Sequence, residues 1–211
     1  KRLREAAARR ELLLKRRNAA RIVNGEGDHL PGLIIDRFGD IIAFQTLSAG
    51  WEMRKEQLVR LITKVFAPSA IIEKNNSHLR KLEGLPMVEG VISGEGTRAT
   101  IHDAAGTQFE IDVLTGQKTG FFLDQMENRT RLRDLIRPGA TVLDLFTNEG
   151  GFALNAALAG AGEVRAIDIS GPALRNVERN AELNGVRDRV QTIEADCFEY
   201  LKEADEKHDV V

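Results

Sequence analysis

The sequence predicts an α/β protein in which a small α+β domain precedes a mostly parallel sheet flanked by helices. Two observations lead to this prediction. From residue 141 onward, short apolar runs alternate with segments of helical spacing, which is typical of βαβ units and parallel strands. Between residues 19 and 113, several predicted strands accompany one long helical segment, as in an α+β domain.

The N-terminal half begins with a basic helical segment. Residues 2–17 are rich in Ala, Leu, Arg and Glu and lack Gly and Pro, which predicts a helix. Strands are predicted at 20–23, 32–36, 41–45, 70–73, 99–102 and 108–113, and a second helix at 51–65. The last two strands are expected to form a hairpin.

The C-terminal half alternates strand and helix. Strands are predicted at 141–146, 163–168, 190–193 and 209–211, and helices at 127–136, 152–159, 172–183 and 197–203. The predicted divisions are a basic helix or linker (1–18), a central α+β domain (19–113) and a parallel-sheet domain (114–211). The chain starts within a helical pattern and stops at the opening of a buried strand, so we expect a truncated sheet and a fragment of a longer protein.

Charge is unevenly distributed along the chain. The net charge is −2, yet residues 1–17 alone carry +6. This asymmetry indicates a contact with nucleic acid, although a solvated helix face explains it equally well. There is one cysteine, and no apolar run approaches the roughly 20 residues that span a bilayer. We therefore expect a cytoplasmic protein with no membrane partner, and the four histidines show no metal-binding spacing.

Three acidic residues stand where predicted parallel strands end. They are Asp144, Asp168 and Asp196. Doubly wound sheets bind ligands beyond the carboxyl ends of their strands. The first strand leads into Thr147-Asn-Glu-Gly-Gly151, whose paired glycines let the backbone approach a ligand in front of a helix. A ligand site is predicted here, with plain helix capping by the acids as the alternative.

The composition of this loop favours S-adenosylmethionine (SAM) over a dinucleotide. The pattern G-x-G-x-x-G is absent, and Asp144 and Glu149 would repel a pyrophosphate. SAM needs an acid near its ammonium group and another for its ribose hydroxyls, and Asp168 lies at a fitting distance after the glycines. Asp196 would accept a hydrogen bond from the adenine amino group, with Ile169 and Cys197 flanking the ring.

Longer motifs point to a family. Gln117-Lys-Thr-Gly-Phe-Phe-Leu-Asp-Gln125 precedes Asp144-Leu-Phe-Thr-Asn-Glu-Gly-Gly-Phe152, and both follow Gly25-Glu-Gly-Asp-His-Leu-Pro-Gly-Leu-Ile-Ile-Asp-Arg-Phe-Gly39. This set resembles the bacterial and archaeal 23S rRNA 5-methylcytosine methyltransferase family over about residues 18–211. The resemblance implies a Rossmann-like SAM-dependent methyltransferase domain preceded by an EEHEE-like central domain, and in the family also by a PUA domain.

The resemblance implies SAM-dependent methylation of ribosomal RNA, specifically of cytosine C5 in 23S rRNA. Ribosomal RNA is then the partner, and a homodimer is a candidate assembly. The alternatives are a related rRNA guanine methyltransferase and an inactive module that binds RNA or SAM. The predicted donor-binding residues are Lys118, Phe121, Asp124, Gln125, Asp144, Phe146, Thr147, Gly150, Gly151, Asp168, Ile169, Asp196 and Cys197.

The chain departs from the family pattern in two ways. Thr147, Asn148 and Glu149 replace the usual loop residues, and Met126 stands where Arg is common. Methylation at C5 also needs a thiolate that adds to the ring. The only thiol, Cys197, has an adenine-side position, where a small wall residue is the simpler interpretation. We therefore predict no catalytic residue among these 211.

Overall fold

The computed structural model describes residues 1–211 and divides into two compact units. The first contains residues 1–101 and 111–123, and the second contains residues 102–110 and 124–211. None of the helices is both long enough and apolar enough to cross a membrane.

The first unit is built on a five-stranded mixed sheet of order β1-β2-β3-β4-β5. Its strands are β1 (Ala19–Asn24), β2 (Leu33–Phe38), β3 (Ile41–Thr46), β4 (Ala70–Asn75) and β5 (Val88–Gly94), and its helices are α1 (Arg2–Arg9), α2 (Glu11–Leu14), α3 (Ala49–Glu52) and α4 (Lys55–Phe66). Only β3 and β4 are parallel, because α3 and α4 cross over between them. Leu58 and Ile62 of α4 join a core with Ile22, Ile35 and Phe44 of the sheet.

Two predictions for this unit are corrected by the structure, and one strand was missed. The helix predicted over residues 2–17 breaks at Arg10, because Arg9 and Arg10 both turn toward the buried carboxylate of Asp28, at 2.6 and 2.5 Å. The helix predicted at 51–65 is divided into α3 and α4. Strand β5 was not predicted.

The second unit contains a parallel sheet of order β10-β9-β8, which confirms the predicted α/β class. Its strands are β8 (Thr141–Leu145), β9 (Glu163–Asp168) and β10 (Val190–Glu194), and its helices are α5 (Met126–Leu132), α6 (Gly151–Leu158), α7 (Gly171–Leu183) and α8 (Cys197–Glu203). Helix α7 begins as predicted, with Ser170 accepting from the N–H of Ala173 and Pro172 in the first turn. Val210 bridges Val142 in parallel, so residues 209–211 lie at a fourth position beside β8.

Strands β6 (Arg98–His102) and β7 (Gln108–Asp112) form a two-stranded sheet through which the unit boundary runs. Residues 102–110 belong to the second unit. There, Asn155 of α6 donates to Asp103 at 3.3 Å and accepts from the hydroxyl of Thr107 at 3.1 Å.

The unit boundaries differ from the predicted divisions at residues 18 and 113. Helix α1 contributes the fully buried Ala6 to the first core, so it is part of that unit rather than a linker. Residues 114–123 also belong to the first unit. The buried ammonium of Lys74 donates to the carbonyl oxygens of Leu114 and Gly116, at 2.5 and 3.2 Å, and holds this segment there.

Candidate functional site

The carboxyl ends of the parallel strands meet at one edge of the second unit's sheet. The register places Asp144 of β8 opposite Ala166 of β9, and Asp168 opposite Glu194 of β10. The two predicted acids, Asp144 and Asp168, therefore stand on adjacent strands at the edge where such sheets bind ligands.

The loop after β8 has an unusual backbone. Phe146 (φ 56°), Asn148 (φ 51°) and Gly150 (φ 77°) all adopt left-handed conformations. Such conformations cost of order 1 kcal/mol or more for residues other than glycine, and they concentrate at ligand sites. The fold holds the loop in place, because the N–H of Thr147 donates to the carbonyl of Ile167 at 3.0 Å. The hydrogen bond from Thr147 therefore ties the loop to β9.

Asp144 stabilises this loop through two hydrogen bonds. Its Oδ2 accepts from the hydroxyl of Thr147 at 2.6 Å and from the N–H of Ala153, in the first turn of α6, at 3.0 Å. Burial raises the pKa of this carboxyl to about 6, although both hydrogen bonds and the charge of Arg129 act in the opposite direction. The carboxyl is therefore mostly ionised at neutral pH, in a site where a cation would be strongly attracted.

Asp168 uses both of its oxygens locally and keeps capacity for more. Oδ2 accepts from the N–H of Asn148 at 3.0 Å, and Oδ1 accepts from the N–H of Ser170 at 2.9 Å. A carboxylate offers about four acceptor positions. Asp168 therefore links the first loop to the second strand and can still accept from two hydroxyl groups.

Asp196 is confirmed as a helix cap and remains a predicted ligand contact. Its Oδ1 accepts from the N–H groups of Phe198 and Glu199, at 2.8 and 3.1 Å, so it starts α8. The predicted contact with an adenine amino group would fall to the other oxygen, Oδ2.

Apolar side chains are exposed beside these acids. Phe146, Ile169 and Phe198 are 59%, 70% and 65% exposed, and the two phenyl rings meet edge to face with centroids 5.5 Å apart. Such exposure of large apolar side chains at the ligand-binding edge suits a flat aromatic ring. Phe198 was not among the predicted residues, although its place in the first turn after the third strand was a usable signal.

Cys197 is a buried residue that packs behind the candidate site. Its side chain is 2% exposed, its Sγ accepts from the N–H of Phe146 at 3.3 Å, and it lies 3.7 Å from the carbonyl of Ile167. Burial raises the pKa of the thiol. Cys197 therefore helps to hold the backbone of Phe146 in place and is unsuited to act as a nucleophile.

The predicted segment 117–125 is divided between the two units. Lys118 and Phe121 belong to the first unit. Lys118 is exposed with φ 56° and its ammonium lies 4.3 Å from the ring centre of Phe122, whereas Phe121 is buried. Asp124 and Gln125 belong to the second unit, in a 3-10 turn just before α5. Their contact with a donor stays a prediction.

The basic N-terminal segment has a structural role in part. Arg9 and Arg10 both donate to Asp28, which is 1% exposed. Burial alone would raise the pKa of Asp28, but the bonds from Arg10, Arg9 and the N–H of Asn24 lower it to about 2. At least two of the segment's cations therefore stabilise the first unit, and an RNA contact by this segment stays a prediction. No cluster of His, Cys, Asp and Glu suited to a metal ion is present.

The second unit combines a parallel sheet, a loop with paired glycines after β8, a carboxylate at the end of β9 and exposed apolar side chains at the same edge. This is a Rossmann-like arrangement. The model of the TRM5/TYW2 methyltransferase domain matches residues 100–211. The chain belongs to this family, which confirms the predicted class of SAM-dependent methyltransferase.

Individual relatives agree with this assignment. The chain is 38% identical over 207 residues to the ribosomal RNA large subunit methyltransferase I of Shewanella amazonensis, covering 96% of this chain and 52% of the relative. The chain thus spans about half the length of the curated relatives that it matches. Among solved structures, a Streptococcus mutans protein assigned to the SAM-dependent methyltransferases has a TM-score of 0.82 at 24% identity, covering 95% and 52% of the two chains. The tRNA m1G37 methyltransferase of M. jannaschii has a TM-score of 0.67 at 20% identity, covering 86% and 54%.

Proposed function

We propose that this chain binds SAM and supplies the methyl-donor half of a methyltransferase that acts on large-subunit ribosomal RNA. The observation that supports this most is the juxtaposition of Asp144 and Asp168 on adjacent strand ends, with the left-handed loop from Phe146 to Gly150 between them. The curated relatives, which are named as methyltransferases of that RNA, supply the substrate class.

The side chains present suit the three parts of SAM. The free acceptor positions of Asp168 match two ribose hydroxyls, and the ionised Asp144 matches the ammonium group of the methionine part. The exposed faces of Phe146, Ile169 and Phe198 match the adenine ring.

When bound, SAM supplies an electrophilic methyl group on sulfonium. The contribution of this chain is to bind and orient the donor, because hydrogen bonds to the loop and to the start of α6 hold both carboxylates in place. The exposed apolar side chains of Phe146, Ile169 and Phe198 supply the surface on which the adenine ring packs.

The identity of the base that accepts the methyl group is a separate, more specific proposal. The motif from Gln117 to Gln125 favours cytosine C5, through the family that it resembles. Cys197 does not supply the thiolate for that reaction, because it is buried and its pKa is raised. On this proposal the nucleophile comes from outside residues 1–211.

A guanine is the second candidate, and the family match is compatible with it. The TRM5/TYW2 model covers the whole second half of the chain, and a structural neighbour is named as an m1G37 methyltransferase. Methylation of a guanine nitrogen needs no enzyme thiolate. A homodimer likewise stays a prediction, to be checked by analytical ultracentrifugation.

Labelled methyl transfer tests the proposal and separates the two bases. The whole protein is incubated with methyl-labelled SAM and large-subunit rRNA from cells that lack the gene, and the RNA is digested to nucleosides. We expect label in 5-methylcytidine. Label in a methylguanosine supports the guanine alternative, and no incorporation with an intact, SAM-binding protein contradicts the substrate class.

A further inference from the structure

A cleft of about 470 Å³ lies on the first unit, bordered by the N-terminal end of α1 and by α4. Its lining is mostly apolar. Leu33 and Leu58 belong to the buried core, whereas Trp51 and Leu61 are partly exposed. Clefts of roughly 300–1,000 Å³ with apolar walls are typical of ligand sites. None of the lining residues belongs to the candidate donor site, so the cleft is a separate feature of the molecule.

All the charged side chains that line this cleft are cations. They are Lys1, Arg2, Arg4 and Lys64, and the lining contains no Asp or Glu. Arg2 donates a hydrogen bond to the carbonyl of His29 at 3.0 Å, and its guanidinium carries further N–H donors. A cluster of charges of one sign concentrates ligands of the opposite sign. The cleft therefore suits a ligand that carries several negative charges beside an apolar or aromatic group.

The cations of the basic N-terminal segment are thus divided between two places. Arg9 and Arg10 are bound to the buried carboxylate of Asp28. Arg2 and Arg4 are exposed at the cleft instead. The ion pairs with Asp28 account for only part of the positive charge of this segment, and the cations at the cleft are the part that can meet a ligand.

We infer that the cleft binds a single-stranded segment of the RNA substrate, with one base against Trp51 and the adjoining phosphates on Arg4 and Lys64. This inference rests on the proposed function, because it takes ribosomal RNA as the polyanion. The RNA segment must be unpaired, since bases within a duplex are not free to stack on a side chain.

Trp51 is suited to stacking rather than to hydrogen bonding. Its indole N–H already donates to the carbonyl of Pro31 at 2.8 Å, and this bond holds the ring at the cleft. Stacking on an aromatic ring does not depend on polar groups, which this lining largely lacks, and every base has a face that can stack. The cleft should therefore bind RNA with little preference for sequence.

The fluorescence of Trp51 tests this inference directly. Trp51 is the only tryptophan of the chain, so its emission reports on the cleft. The probe is an oligouridylate of about eight nucleotides, which contains no adenine that could enter the donor site. We expect saturable quenching, and a loss of affinity of about tenfold or more when the salt concentration rises from about 50 to about 200 mM. An oligouridylate that leaves the emission unchanged would overturn the inference.

Two substitutions of exposed cations test the phosphate contacts. Arg4→Gln and Lys64→Gln should each weaken binding severalfold and lower the slope of log affinity against log salt concentration by about 0.7. Arg60→Gln is the matched control, because Arg60 is exposed on the same helix as Lys64 but does not line the cleft. Equal losses in Arg60→Gln and Lys64→Gln would mean that general surface charge attracts the RNA, and the inference would be wrong. Unchanged affinity in both cleft variants would contradict it as well.

Further outcomes separate the cleft from its alternatives and from the proposed function. If an acidic amphipathic peptide of Leu and Glu quenches Trp51 and the oligouridylate does not, the cleft is a docking site for protein and the inference is overturned. Unchanged Trp51 emission in a protein that methylates large-subunit rRNA refutes the inference alone. Quenching in a protein that binds SAM but does not methylate that RNA supports RNA binding by the cleft and contradicts the proposed substrate class.

Discussion

Asp144 carries the charge that we assign to donor binding, and its carboxyl group is removed from water. Burial raises the pKa of its carboxyl from 3.8 to about 6. A carboxyl with a raised pKa binds its proton more tightly in the folded state than in the unfolded state. Its ionisation therefore weakens the fold as the pH rises from 3.8 to about 6, and above that range the full loss remains.

Asp144→Asn should stabilise the ligand-free protein at pH 7.5, by up to about 3 kcal/mol. The amide oxygen of Asn can still accept from Thr147 and Ala153. The loop therefore keeps both hydrogen bonds while the buried charge is removed. Urea unfolding at pH 7.5 and pH 4 measures this, with Asp188→Asn, at an exposed position, as the control. A variant less stable than wild type at pH 7.5 would show that the charge supports the fold.

At the residue scale, the sequence indicates the acids and not their surroundings. Asp144 and Asp168 follow apolar runs, which is a local pattern visible in the chain. Arg129 packs against Gly151, and no local pattern shows that contact. The left-handed conformation of Phe146 could not be predicted either, because the hydrogen bonds on either side of it, from Phe146 to Cys197 and from Thr147 to Ile167, join residues far apart in the sequence.

At the element scale, the docking of α1 depends on one buried carboxylate. Asp28 accepts from Arg9 and Arg10, and these bonds lower its pKa from 3.8 to about 2. A lowered pKa means that the stability from this group is present above pH 4 and is lost as the pH falls toward 2.

Asp28→Asn should destabilise the protein by about 2 kcal/mol at pH 7, because it leaves two arginines without their charged partner. Hydrogen exchange should report the loss specifically, as faster exchange in residues 2–14 than in β2 or β3. Asp40→Asn, at an exposed aspartate, is the control. Uniform exchange across the first unit would mean that Asp28 does not hold α1 in place.

Most elements were predictable because they have a buried face. The strands and helices of the second unit alternate as their hydrophobic spacing indicates. Strand β5 was missed for a physical reason. It contains Gly90 and Gly94, and its apolar residues Val91 and Ile92 are 40% and 41% exposed, so neither alternation nor burial marks it. It is a strand because it pairs with β4.

At the scale of the whole molecule, the change from an α+β to an alternating pattern predicted a division near residue 113, whereas the two compact units of the structure divide the chain at other positions. The difference lies in residues 114–123. This segment is held in the first unit by Lys74 and by the hydroxyl of Thr119, which donates to the buried Asp36. Partners so distant along the chain leave no mark in local composition, so sequence patterns alone could not assign the segment.

The central claim is that the strand ends of the second unit hold SAM, and calorimetric titration with SAM tests it most directly. We predict saturable one-site binding by the wild-type protein, a loss of at least about tenfold in Asp168→Ala, which removes hydrogen bonds to a charged acceptor, and no change in the exposed-site control Asp188→Ala. Because Asp168 also accepts from Asn148 and Ser170, thermal unfolding must show that the variant is folded. A folded Asp168→Ala protein that binds SAM as tightly as wild type, or a wild-type protein that does not bind SAM, would contradict the claim.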